Sequence, residues 1–225
     1  LSIVVADGED TGAALERMQA LDIVYREPKS SDYTFKHVLL RDAVYHSLMT
    51  DRRSELHLAI ASALEHRNSN RLSEAAETLA YHYGETSRND LAFRYNALAG
   101  AKGLGVFSHD QANQYFAAAL ALYEADPECA SNEEFVAFIA DYSLCLNISL
   151  DVNTMMEIAP RVRVILSSMG DSPDHVLFLH HYVSGLTTNT RFREALEIQS
   201  ELTAMAERIG DDKSLAYAMV NEISV

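Results

Sequence analysis

Ala112, Met155 and Ala195 stand 43 and 40 residues apart, and each lies near the start of an amphipathic segment that pairs with an apolar helix before it. A period of about 40 residues with two helices per unit restricts the fold sharply. One helix pair cannot bury both of its faces, so neighbouring pairs stack and a helical solenoid results. The helix from Gln111 to Tyr123 turns Ala112, Tyr115, Phe116, Ala119 and Leu120 inward. The preceding helix, Leu91 to Gly103, follows a Ser87…Asp90 capping pattern. Ser131 with Glu134 caps the next, which carries Phe135, Phe138, Ile139, Tyr142 and Leu146. Its partner holds Met155, Ile158, Ala159 and Val162, with Pro160 expected to kink it or delay its start. Ser172-Pro173 opens another helix through Gly185. Arg191-Phe-Arg-Glu-Ala-Leu196 begins its partner, and Asp211 or Asp212 caps a last one. The fold class expected is all-α, with small residues such as Ala112, Ala119 and Ala195 letting helices approach.

Composition agrees. Only 4 prolines and 9 glycines occur in 225 residues, and 48% of the chain is hydrophobic, which fits a globular helical protein. The net charge of −15 is uneven: residues 1–100 carry −4 and residues 101–225 carry −11. An acidic surface repels phosphate backbones, so direct nucleic-acid binding is not expected. The charge is expected to form a solvated acidic face. Cys129 and Cys145 form no metal or redox spacing, which predicts a reducing, cytoplasmic setting with Cys145 buried as a small hydrophobe. No apolar run is long enough to cross a membrane, and Leu1-Ser-Ile-Val-Val-Ala6 is too short for a signal peptide. The first residue is not Met and Ser224-Val225 falls in a helical run, so a piece of a longer protein is expected.

Before the repeats the texture differs. Thr11 to Leu21 reads as a short amphipathic helix with Leu15, Met18 and Leu21 on its apolar face. Ile23-Val-Tyr25 and Tyr33-Thr-Phe35 read as strands around a turn at residues 27–32. Val38 to Met49 is a helix with Leu39, Leu40, Ala43, Val44 and Leu48 inward. Arg52 to Arg67 is the next, broken at Asn68-Ser-Asn70, and Leu72 to Tyr83 follows. The domains expected are 1–49, the connecting helices 50–86, and the repeats 87–225.

Three segments of this region carry a resemblance: Phe35-Lys-His-Val-Leu-Leu-Arg-Asp-Ala-Val-Tyr45, Arg52-Arg53-Ser-Glu-Leu-His57 and Leu79-Ala-Tyr-His-Tyr83. They resemble the end of a regulatory ATPase module in bacterial signalling proteins, a group that includes multidomain class III adenylate cyclases and MalT-like transcription regulators. The resemblance implies that residues 1–49 end a winged helix acting as an internal lid of the ATPase, not as a DNA reader. It implies tetratricopeptide-like repeats after it, and ATP or ADP held by an upstream module rather than by these residues. Phe107…Ala112…Phe116…Ala119-Leu120 and Gly185…Phe192-x-x-Ala195-Leu196 are similar to tetratricopeptide repeats. On this basis the chain is expected to be a non-catalytic regulatory region, of an adenylate cyclase first, of a MalT-like regulator or a plain scaffold otherwise. The repeats would bind a protein, a peptide or a small effector.

Candidate sites follow. By resemblance, His37 contacts the nucleotide phosphate and senses its state. Here Val38 replaces the Asp that often follows, and Arg41 is the alternative charged partner. The bland reading of His37 is a histidine at a strand–helix junction that helps to cap the following helix. Tyr182, Arg191 and Arg193 are the residues expected on the repeat groove. Arg52, Arg53, Glu55 and His57 read as a solvated face with one interhelical ion pair. His180 and His181 point about 100° apart on a helix, so a shared metal is not expected: one faces the groove and one packs. Gly100-Ala-Lys-Gly-Leu-Gly105 is glycine-rich but sits between helices, without the strand and Lys-Ser/Thr ending of a phosphate loop.

Overall fold

A computed structural model describes residues 11–26 and 33–222. The turn expected at 27–32, the Leu1 to Ala6 stretch and the final residues lie outside them. The chain is mostly helical, with one two-stranded antiparallel sheet among the described residues. It divides into two compact units, 1–92 and 93–225.

The first unit begins with α1 (Thr11–Ala20), β1 (Val24–Arg26), β2 (Tyr33–Phe35) and α2 (Val38–Ser47). Val24 pairs with Phe35 and Arg26 with Tyr33. A salt link from Lys36 to Asp22 ties the two strand ends. α3 (Thr50–Arg67) follows, and Asn68 ends it as expected. A 3-10 turn at Leu72–Ala75 then leads into α4 (Ala76–Gly84). Ala61, Ala76, Leu79, Ala80 and Tyr83 are buried where α3 meets α4. Two expectations fail here. Leu21 is 71% exposed, because the chain leaves α1 at this point and Asp22 takes a positive φ of 62°. No residue of α2 is buried: Leu39 is 79% and Val44 43% exposed, while Leu40, Tyr45 and Leu48 are half-buried. α2 spans only ten residues, and it docks by the edge bearing Tyr45 rather than by the whole apolar stripe.

The second unit continues α5 (Asn89–Gly105) from Phe93 and adds α6 (His109–Ala125), α7 (Asn132–Ile148), α8 (Val152–Leu166), α9 (Pro173–Thr188), α10 (Phe192–Ile209) and α11 (Asp212–Glu222). Three of its caps are ones the sequence announces. Ser131 and Glu134 form a complete capping box, Ser172 Oγ accepts from the His175 N–H at 3.1 Å, and Asp211 accepts from Lys213 and Ser214. Each satisfies otherwise orphaned helix-end donors. Pro160 does not break α8, which runs unbroken from Val152 to Leu166 with Pro160 on its exposed side. The ladder bond that Pro160 cannot make is therefore lost where water can replace it.

The three turns α5–α6, α7–α8 and α9–α10 share one backbone design. Phe107, Leu150 and Thr190 each adopt a left-handed conformation, with φ of 61°, 56° and 59°. The N–H of the following residue bonds back five positions: Ser108 to Gly103 O, Asp151 to Leu146 O and Arg191 to Leu186 O, each at 2.9 Å. A second bond runs from Phe107 to Leu104 O, Leu150 to Asn147 O and Thr190 to Thr187 O. This is the Schellman closure of a helix. The same residue that completes it is the N-cap of the next helix. Five residues beyond each left-handed position stands Ala112, Met155 or Ala195, all buried. A β-branched residue is poorly suited to positive φ. Thr190→Gly is expected to raise stability by about 1 kcal/mol, read as a higher urea midpoint with an unchanged slope.

The core of this unit lies between the helices. Phe116, Phe135, Phe138 and Tyr142 are buried as expected, while Tyr115 is only half-buried. Phe116 stacks on Tyr142 with ring centroids 5.4 Å apart, and Tyr123 on Phe135 at 3.8 Å. Such offset stacks add to area burial. The glycines expected between helices are instead inside α5. A Cβ on Gly100 would stand 2.6 Å from the Phe116 ring, and one on Gly103 3.1 Å from Ala112. They permit a close helix approach rather than a phosphate loop.

Candidate functional site

The three segments that carry the resemblance converge in the first unit. Tyr45 on α2, His57 on α3 and His82 on α4 form one hydrogen-bonded chain. The Tyr45 hydroxyl lies 3.0 Å from His57 Nε2, and His57 Nδ1 lies 3.0 Å from His82 Nδ1. His57 is buried, and the Tyr81 ring meets it edge-on with centroids 5.6 Å apart. A contact between two Nδ1 atoms holds a single proton, so one ring donates and the accepting ring is neutral. The whole chain is then satisfied in either direction: Tyr45 to His57 to His82, or the reverse. A second proton would set two N–H groups against each other. Burial, reinforced by His57, pushes His82 down to about 4. Burial also lowers His57, with Arg53 adding to the effect and Glu85 opposing it.

Beside this chain opens a cleft of about 540 Å³ between α2, α3 and α4. Val44, Leu48, Leu56 and Ile60 form its apolar wall, and Arg41, Asp42 and Arg53 bring charge to it. Arg41 is spent on Asp42, which accepts from its Nε at 2.9 Å and from a terminal nitrogen at 2.7 Å. Arg53 lies 5.3 Å from the centre of the Tyr45 ring, a cation–π arrangement. The solvated face expected of this stretch is therefore only partly right. The Arg52–Glu55 ion pair lies within α3 and not between helices, while His57 and Arg53 face the cleft.

His37, the nucleotide-sensing candidate, is exposed at the N-cap position of α2. Its carbonyl accepts the Leu40 and Arg41 N–H groups, but its side chain makes no cap bond. It stands one turn from Arg41 on α2 but is not among the residues that line the cleft with it. In the second unit Tyr182 is not on a groove surface. It is 4% exposed, because α9 packs against α7, α8, α10 and α11 and has no free side for it. Arg191 is half-buried, with its guanidinium on Glu194 at 2.8 Å and 3.4 Å from Met156 Sδ. Arg193 is exposed on α10.

His181 is packed, as one of the two adjacent histidines was expected to be. Its Nδ1 lies 2.8 Å from Ser143 Oγ. Ser143 donates its own proton to Ala140 O at 2.8 Å, so it accepts from His181 Nδ1–H. A nucleophilic serine needs the opposite polarity, and both groups are buried. This pair is a structural link between α7 and α9. His180 rests against Tyr217, with ring centroids 4.8 Å apart. Among the described residues no three His, Cys, Asp or Glu side chains gather as a metal site. Cys129 and Cys145 are buried, and burial pushes the Cys145 thiol up to about 11.

The two most strongly depressed histidines make the fold sensitive to acid. His181 is lowered to about 3 by burial and by His180, and His82 to about 4. Unfolded histidine takes up its proton near pH 6.5 and the folded groups do not. Stability is therefore full above that pH and falls as pH drops toward the folded values. Between pH 7 and 5 each is expected to cost about 2 kcal/mol. Urea titrations at the two pH values check this, and His82→Gln should remove one share of the drop. A pH-independent midpoint across this window would contradict it.

Compared with family models, with curated proteins and with solved structures, the chain shows no match.

Proposed function

We propose that this chain is the non-catalytic regulatory and interaction region of a multidomain signalling protein, an adenylate cyclase with an associated ATPase module. In this reading residues 1–49 end the winged helix of that module. The helix pairs from α5 onward stack as a tetratricopeptide-like solenoid, which takes a protein partner or a small effector. One observation carries the proposal. Tyr45, His57 and His82 come from the three separate segments that resemble the ATPase family, and they meet in one hydrogen-bonded chain. Segments kept together for a shared purpose are expected to touch. The chain also joins α2, the last helix of the winged-helix segment, to the two helices that lead toward the repeats. A change of state on one side is then felt as a shift of packed helices on the other. The recurring turn at Phe107, Leu150 and Thr190 supports the repeat reading.

The test uses the longer protein with its nucleotide module. His37→Ala is expected to weaken ADP retention several-fold and to shift basal cyclase output, whereas Tyr45→Phe should shift output with ADP retention unchanged. Tyr45→Phe keeps the ring and removes the bond that couples α2 to α3. If the longer protein retains no nucleotide, or if neither substitution alters output, the regulatory reading fails.

A further inference from the structure

We propose that the cleft between α2, α3 and α4 is a binding site for a small amphipathic anion, with an apolar body on Val44, Leu48, Leu56 and Ile60 and one anionic head on Arg53. The cleft volume, about 540 Å³, lies within the range of small-molecule sites. Its aliphatic side is unusually open for a folded core: Val44 is 43% exposed, and α2 buries no residue at all. An apolar ligand body gains free energy by covering such surface.

Charge decides the head. The acid in the wall, Asp42, already receives two bonds from Arg41. Arg53 forms no ion pair among the described residues; it makes a 3.4 Å contact with Thr50 Oγ1 and lies over the Tyr45 ring. A guanidinium held beside an apolar cleft, with only this long contact to a hydroxyl on its fork, is suited to recognise a carboxylate or phosphate bidentately. Glu85 is the acid whose field reaches Tyr45 and His57, and it opposes an anion without occupying the wall. In a chain of net charge −15, such a locally cationic cleft selects anions against the field of the whole molecule. The inference stands on the cleft alone and holds whether or not the chain regulates a cyclase.

Isothermal titration of the whole 225-residue chain with decanoate, decyl phosphate, decanol and decyltrimethylammonium tests it. Saturable one-to-one binding of decanoate or decyl phosphate is expected, and the tighter of the two identifies the head. Decanol should bind about tenfold more weakly, the worth of one charge-assisted hydrogen-bonded pair. Arg53→Gln should bring the anion down to the affinity of decanol, Arg53→Lys should retain most of it, and Glu85→Gln should tighten it. Leu56→Ala should weaken anion and alcohol alike. Melting curves of the Arg53 variants separate lost binding from lost folding. Should Arg53→Gln destabilise the fold, the ratio of decanoate to decanol affinity in the Lys variant carries the test. The proposal is overturned by decanol or the ammonium binding as tightly as the anions, by an anion affinity indifferent to Arg53→Gln, or by no saturable binding of any of the four.

Discussion

Ala195→Arg is expected to destroy the cooperative folding of the α9–α11 region. Ala195 is 0% exposed and stands one turn into α10, five residues beyond the left-handed Thr190. α9 and α10 pack against each other, and the Ala195 methyl group is fully enclosed. An arginine adds both volume and charge. Overpacking alone costs about 1–3 kcal/mol, and an unpaired buried charge adds about 3–5 kcal/mol. Acidic neighbours do not rescue it, because Glu194 already holds Arg191 at 2.8 Å. The sum approaches the whole stability of an ordinary domain. Circular dichroism should show reduced helix content and a broadened melt. A melting curve like that of the parent would mean that α9 and α10 do not pack as described.

Gly100→Ala is expected to destabilise by about 2 kcal/mol, although alanine is the better helix former. In an unpacked helix this exchange gains about 1 kcal/mol. At position 100 the new methyl would stand 2.6 Å from two atoms of the Phe116 ring, closer than real carbons approach. Phe116 cannot yield, since it is fully buried and stacked on Tyr142, and interiors pack too densely to absorb such a shift. Gly84→Ala is the control. Nothing stands within 4 Å of its added Cβ, so that exchange should be neutral to stabilising, by up to about 1 kcal/mol at this last position of α4. If Gly100→Ala is neutral or stabilising in urea titration, the close approach of α5 and α6 is wrong.

These two sites also show what the sequence discloses and what it withholds. The caps at Ser131, Ser172 and Asp211 were readable because cap chemistry is local: a short side chain meets a backbone donor two or three residues on. The buried faces of α6, α7 and α8 were readable from their spacing. Tyr182 was misplaced because α9 is apolar on nearly every side, with Val176, Phe178, Leu179, Val183 and Leu186 also buried. A helix of that kind is enclosed, and this was the available signal. The left-handed turns were invisible. Glycine marks them in most chains, as Gly210 does after α10, but Phe, Leu and Thr fill them here. The His57–His82 contact spans 25 residues and leaves no periodic trace. The resembling segments named both residues without indicating that they touch.

The interchangeable turns have a further consequence for how such a chain can change its length. Phe107, Leu150 and Thr190 are followed by the same cap position and closed by the same pair of bonds. A chain cut after one of them and rejoined after another meets the backbone geometry it left. Loss or duplication of one complete unit therefore keeps both junctions intact, whereas an insertion of any other size must be absorbed elsewhere. Growth in whole modules is the mode of change this backbone accommodates most readily.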